Sequence, residues 1–184
     1  LVKVFDLKRI SKSPAIFDIE KLRYFNSEYI RALPPEKFAE LAKPYIEESA
    51  GKNVDYKLIA ALLQQRCEVL NDIPEKVDFF GALPDYDCEL FVHKKSKTNR
   101  EISLTMLKEA LPMLESLGSG FQDAIHDGLI SLAEKLEVKN ATLMWPVRIA
   151  VSGKAVTPGG AVEICHILGK AETIRRIKTA IEKL

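Results

Sequence analysis

What the sequence lacks narrows its chemistry first. It has no apolar run approaching the roughly 20 residues needed to cross a bilayer. Its opening stretch, LVKVFDLKRISKS, carries neither an apolar signal core nor a cleavage site, so a cytoplasmic protein with no membrane partner is expected. It contains no GxGxxG or GxxxxGK[ST] element to cradle a phosphate, and no HExxH. The histidines His93, His126 and His166 form no catalytic pattern with a nucleophile. The cysteines Cys67, Cys88 and Cys165 are odd in number, fall in no ligand spacing and have apolar neighbours, which reads as buried free thiols. Glu47-Glu48 and Asp85/Asp87 read as solvated charge. No catalytic residue, metal site or cofactor is expected in this chain. Also missing are any alternating strand pattern and any period of ~34 or ~40 residues, which disfavours sheets and helical solenoids.

What is present is an ordinary globular composition, 47% hydrophobic and 29% charged over 184 residues, enough for one domain or two small ones. The chain opens at Leu1 and reads from the start as the middle of something, so a fragment of a longer protein is expected. Its net charge of +1 hides a division. Residues 1–35 carry 7 Lys/Arg against 4 Asp/Glu, residues 36–92 carry 6 against 12, residues 93–138 carry 6 against 7, and residues 139–184 carry 8 against 3. The basic excess therefore lies at the two ends, a distribution suited to a polyanion touched at two places, or to two solvated faces.

Apolar spacing near 3.6 residues predicts an almost wholly helical protein. Asp18 caps a helix with Ile19, Leu22, Phe25, Tyr29 and Ile30 inward, and Pro35 opens the next, with Pro44 kinking or dividing it and Gly51 ending it. Asp55 caps a helix that buries Leu58, Ile59, Leu62, Leu63 and Leu70, and Pro74 restarts a short one through Phe80. The polar stretch HKKSKTNRE, from His93 to Glu101, reads as the boundary between two helical units. Ser103 is expected to cap a helix through Leu117, Phe121 to Leu136 stripe another, and Asn140 caps one that Ser152-Gly153 closes. A short helix then ends at Gly169, and the last runs from Ala171 to Leu184.

The strongest constellation is MWPVRIAVSGKAVTPGGAVEICHILGK, from Met144 to Lys170. Trp145 and Arg148 are three apart on one helix and emerge on one face. Single-stranded RNA is read by stacking unpaired bases on aromatic or guanidinium planes and by hydrogen-bonding their edges. Thr157 adds a hydroxyl, Pro158 a flat apolar surface, Gly159 and Gly160 close backbone approach, and the helix start after Gly160 amides that favour an anion. The bland reading is a core tryptophan beside a Pro-Gly-Gly turn, in a helical protein-interaction module that binds no RNA. Spacing alone leaves both open.

This segment, with KLRYFNSEYIR and LLQQRCEVLNDIPEKVDFF upstream, resembles the C-terminal anticodon-binding portion of bacterial glutamyl-tRNA synthetases across essentially the whole chain. The resemblance implies an all-α fold of two small helical domains forming an anticodon-binding cage. Residues 1–34 would end a stem-contact module, 35–95 form the first anticodon-binding domain and 96–184 the second. It places Trp145, Arg148, Thr157, Pro158, Gly159 and Gly160 on the first two anticodon bases, although Gly160 and Ala161 are small where some members carry larger apolar residues. Arg66 matches an arginine that accepts cytosine as third base. FDLKRISKSPAIFD is similar to a stretch in the region touching the inner arm of the tRNA, so Lys8, Arg9 and Lys12 would neutralise its phosphates. Ser11-Lys12-Ser13 also resembles the KMSKS signature of class I synthetases, but no nucleotide-binding fold precedes it here, and a basic loop is the simpler reading. The implied partner is glutamate tRNA, with glutamine tRNA a second one in members that do not discriminate. ATP and Mg²⁺ would serve a monomeric parent, and the chain alone would do no chemistry.

Overall fold

The computed structural model describes residue 6 and residues 16–118 and 120–184, and among them there are eight α-helices and no β-strand beyond a single isolated bridge. They are α1 (Ile19–Arg31), α2 (Pro35–Ala50), α3 (Tyr56–Leu63), α4 (Ile73–Gly81), α5 (Arg100–Ser116), α6 (Phe121–Lys135), α7 (Asn140–Ser152) and α8 (Ala161–Lys183). Short 3₁₀ turns cover Gln64–Arg66, Leu70–Asp72 and Cys88–Phe91. Lys8, Arg9 and Lys12 lie outside the described residues, as does Ser119. Among the described residues no helix is long and apolar enough to cross a membrane.

Local chemistry explains most boundaries. The Asp18 carboxylate accepts from the Lys21 amide and Asp55 from the Lys57 and Leu58 amides, so both caps form as read. Pro35 opens α2, and Gly51 ends it with φ +84. α2 nevertheless runs through Pro44 undivided. Three boundaries differ from the sequence reading. α5 starts at Arg100, because Asn99 accepts from the Ile102 amide, while the buried Ser103 hydroxyl donates to the Phe91 carbonyl. Asn140 is the first residue of α7, not its cap. α3 stops at Leu63, and Leu70 belongs to a separate turn. The break at Gly169 is present as φ +74 inside α8.

α2, α3 and α4 pack together around Phe38, Ile46, Ile59 and Phe79, and α5 to α8 around Leu107, Leu129, Ile149 and Ile164, all fully buried and part of one continuous core. Arg176 of α8, 1% exposed, bolts the two groups together. It donates to the carbonyls of Phe79 (2.7 Å) and Val151 (2.6 Å), and to the Glu172 carboxylate (2.6 Å). The buried charge is thus met by one carboxylate and two carbonyls. α1 departs from expectation: Ile30 is buried, but Ile19, Leu22, Phe25 and Tyr29 are exposed, because the rest of the described chain meets only the opposite side of this helix. There Arg23 pairs with Glu68 and Asp72.

Candidate nucleic-acid interface

α7 supplies the first part of the site. Trp145 is half-buried, and its indole N–H donates to the Leu90 carbonyl at 2.9 Å. The His93 imidazole lies parallel to the indole, centroids 3.6 Å apart and planes 4° from coincidence. The Arg148 guanidinium carbon is 4.5 Å from the indole centroid, a distance that puts it over a ring face. His93 fills one face, so Arg148 covers the other. The result is a three-layer column of imidazole, indole and guanidinium. Trp145 is its central plate, and its two faces are not open to a base as the i, i+3 spacing had implied.

The loop from Gly153 to Gly160 supplies the second part. It turns sharply because Gly153 adopts φ +65, and a Cβ there would come within 2.7 Å of the Tyr86 ring. The loop is braced from within. Thr157 is buried and its hydroxyl donates to the Gly159 carbonyl at 2.7 Å, while Pro158 is also buried, so neither the hydroxyl proton nor the flat ring is presented outward. The Gly160 amide donates to Glu163 at 3.0 Å, so that carboxylate already holds the anion position read at this helix start. Gly159 sits against α3, where a Cβ would lie 2.9 Å from Leu62. Val156, 85% exposed, forms the tip.

Both arginines hold this loop. Arg148 donates to the Ala155 carbonyl at 3.0 Å, and Arg66, exposed at the end of its 3₁₀ turn, donates to the Thr157 carbonyl at 3.2 Å. Residues 91 apart in sequence therefore meet at one turn. Burial, with the charge of Arg66 second, lowers the Arg148 pKa from its ordinary value. The Arg148 Nε is buried with no hydrogen-bond partner. Among the described residues no carboxylate pairs with either guanidinium. A depression of about 190 Å³, lined by Ser96, Met144, Trp145, Arg148, Gly160 and Ala161, opens beside them. Among the described residues no group of three or more His, Cys, Asp or Glu could hold a metal ion.

Residues 37–181 match the family model described as an anticodon binding domain. The chain belongs to that family. As an anticodon-binding domain it is 53% identical over its full length to a glutamate–tRNA ligase of Clostridium tetani, and 50% identical to one of Clostridium botulinum, in each case covering 38% of the relative. Among solved structures it is similar to a glutamate tRNA ligase from Elizabethkingia meningosepticum, determined in complex with its amino acid, with a TM-score of 0.81 and 27% identity. That match covers all of this domain and 36% of that chain. A glutamate–tRNA synthetase from Elizabethkingia anophelis matches 98% of the domain with a TM-score of 0.76 at 26% identity. The domain thus spans a little over a third of the relatives it matches, and the expected all-helical anticodon-binding fold is the one found.

The structure gathers Arg66, Trp145, Arg148, Thr157, Pro158, Gly159 and Gly160 around one loop. It adds three residues that sequence reading passed over: His93, Ser96 and Val156. An apolar Val156 inside a turn was a legible signal. The stacking of His93 on a tryptophan 52 positions away was not.

Proposed function

We propose that this domain reads the anticodon loop of glutamate tRNA for a glutamate–tRNA ligase, and that the intact parent, a cytoplasmic monomer, attaches glutamate to that tRNA with ATP and Mg²⁺. The observation that carries this reading is the meeting of Arg66 and Arg148 on the 153–160 loop, two guanidiniums whose hydrogen bonds among the described residues go only to carbonyls, so that their outward donors await an acceptor-rich partner. ATP and Mg²⁺ are assigned to the share of the relatives that this chain does not span, since no phosphate-cradling motif occurs here.

In this reading Arg66 donates to O2 and N3 of a cytosine at the third anticodon position, where a guanine would present N–H donors of its own. Arg148 meets the first two bases with its outer face and free donors, backed by Trp145. Thr157, Pro158 and Gly159 hold the loop in shape, and Gly160, exposed and small, lets a base approach the backbone. Lys8, Arg9 and Lys12 neutralise phosphates of the inner arm. Binding energy collected at the anticodon supports rate and specificity at the distant reacting end.

A base swap in the anticodon stem-loop tests the reading. The cytosine form binds more tightly than the form with guanine as third base, and Arg66→Ala removes the difference. Equal binding of both forms by the unaltered protein would overturn the selector role of Arg66 and admit glutamine tRNA as a second partner. Binding to neither form would return the helical protein-interaction reading.

A further inference from the structure

The stretch from His93 to Thr98, polar and lysine-rich in sequence, is not a slack connection. His93 and Thr98 exchange both backbone hydrogen bonds (3.1 and 3.2 Å), and the Lys97 amide donates to the Lys94 carbonyl. The turn is pinned from beneath. Thr98 donates to the Phe91 carbonyl, and Thr142 of α7 donates to the Ser96 carbonyl, both at 2.8 Å. Ser96 and Thr98 are buried while Lys94, Lys95 and Lys97 are exposed, and Lys97 holds φ +54, a left-handed conformation costly for a side chain of its kind. Of the acidic side chains nearest in sequence, Asp87 and Glu89 are engaged by Arg100, and Glu101 forms no ion pair with the three lysines.

The histidine is equally fixed. The Ser96 amide donates to its Nδ1 at 3.3 Å, which places the ring proton on Nε2, and no hydrogen bond engages Nε2 among the described residues. One face of the imidazole is covered by Trp145. Ser96 also lines the same depression as Arg148 and Gly160, so this turn and the 153–160 loop border one surface.

We infer that the His93–Thr98 turn is a second RNA-contacting element, in which the outer face of His93 receives a stacked unpaired base and Lys94, Lys95 and Lys97 neutralise the phosphates beside it. This rests on the RNA-reading function proposed above and extends the site by Lys94, Lys95 and Lys97. An aromatic plate set among unpaired cations is the arrangement that single strands select, because stacking tolerates any base and the cations follow the backbone. The column also makes the two elements one unit. His93 backs Trp145, Trp145 backs Arg148, and a strand laid across the depression would meet a stacking surface at each end.

The test titrates the whole chain with a glutamate-type anticodon stem-loop over a salt series. Replacing Lys94, Lys95 and Lys97 together by Gln, all on the surface, lowers the slope of log K against log salt by about 2, near the ~0.7 per phosphate of single strands. His93→Ala weakens binding about tenfold, and His93→Phe, which keeps a plate against Trp145, restores most of it. An unchanged slope in the triple variant, or equal binding by His93→Ala and the unaltered chain, overturns the inference. If the unaltered chain binds no RNA, it is the anticodon reading that has failed.

Discussion

Trp145 shows how much a side chain's role depends on what lies against it. Its indole is enclosed by His93 and Arg148 and tied to Leu90, so its substitution should act on stability apart from any proposed role in RNA binding. Trp145→Phe keeps the column but leaves the Leu90 carbonyl unpaired, and a urea melt should show a loss of about 1–2 kcal/mol. Arg176 is the more sensitive position. Removing it leaves the buried carbonyls of Phe79 and Val151 without this donor and Glu172 with Arg175 alone, and Arg176→Ala should cost about 3–5 kcal/mol in the same measurement. Arg176→Lys rescues little, because an ammonium cannot span the three acceptors a planar fork reaches. Gly153→Ala should also destabilise, by roughly 2 kcal/mol or more, since it adds left-handed strain to a contact with the buried Tyr86 ring.

Among elements, α8 carries a pH signature. The hydrogen bond from Arg175 holds the Glu172 carboxyl at about 2, with Arg176 adding to the effect and burial opposing it. A carboxyl pKa depressed by folding contributes stability that is complete above its ordinary value of 4.5 and is lost as the pH falls toward 2. Chemical denaturation at stepped pH should show this loss between about pH 4.5 and 2, and Glu172→Gln should flatten the curve there. α1 teaches a different lesson. Its 3.6-residue stripe was plain in the sequence and the helix forms where the Asp18 cap put it, yet the stripe is exposed. Periodicity locates an apolar face but does not say what covers it. Caps carry a similar ambiguity. Asn99 and Ser103 are both acceptable N-caps by type, and tertiary structure decided between them by giving the Ser103 hydroxyl a buried acceptor at Phe91.

At the scale of the whole molecule, helix content and most boundaries were legible because they rest on short-range chemistry: spacing, caps and turn residues; the 144–170 segment stood open on spacing and was assigned to RNA by resemblance. Arg66 reached the site in the sequence reading only through resemblance, since no local pattern brings a 3₁₀ turn against Thr157. The sequence reading took the stretch containing the His93 turn as a boundary between helical units, because its polarity is visible in sequence while its packing under α7 is not. The fold brings Arg66 from the acidic 36–92 region and Arg148 from the basic 139–184 region into one cationic seam at the 153–160 loop, where among the described residues both donate only to carbonyls. That seam is the central claim. Its most direct test is a titration of the chain with the glutamate anticodon stem-loop at about 50 and 200 mM salt. The account predicts measurable binding at the lower concentration, steep weakening at the higher, and a loss of at least tenfold in the Trp145→Ala, Arg148→Ala double variant. No binding at low salt, or binding indifferent to the double variant, would contradict it.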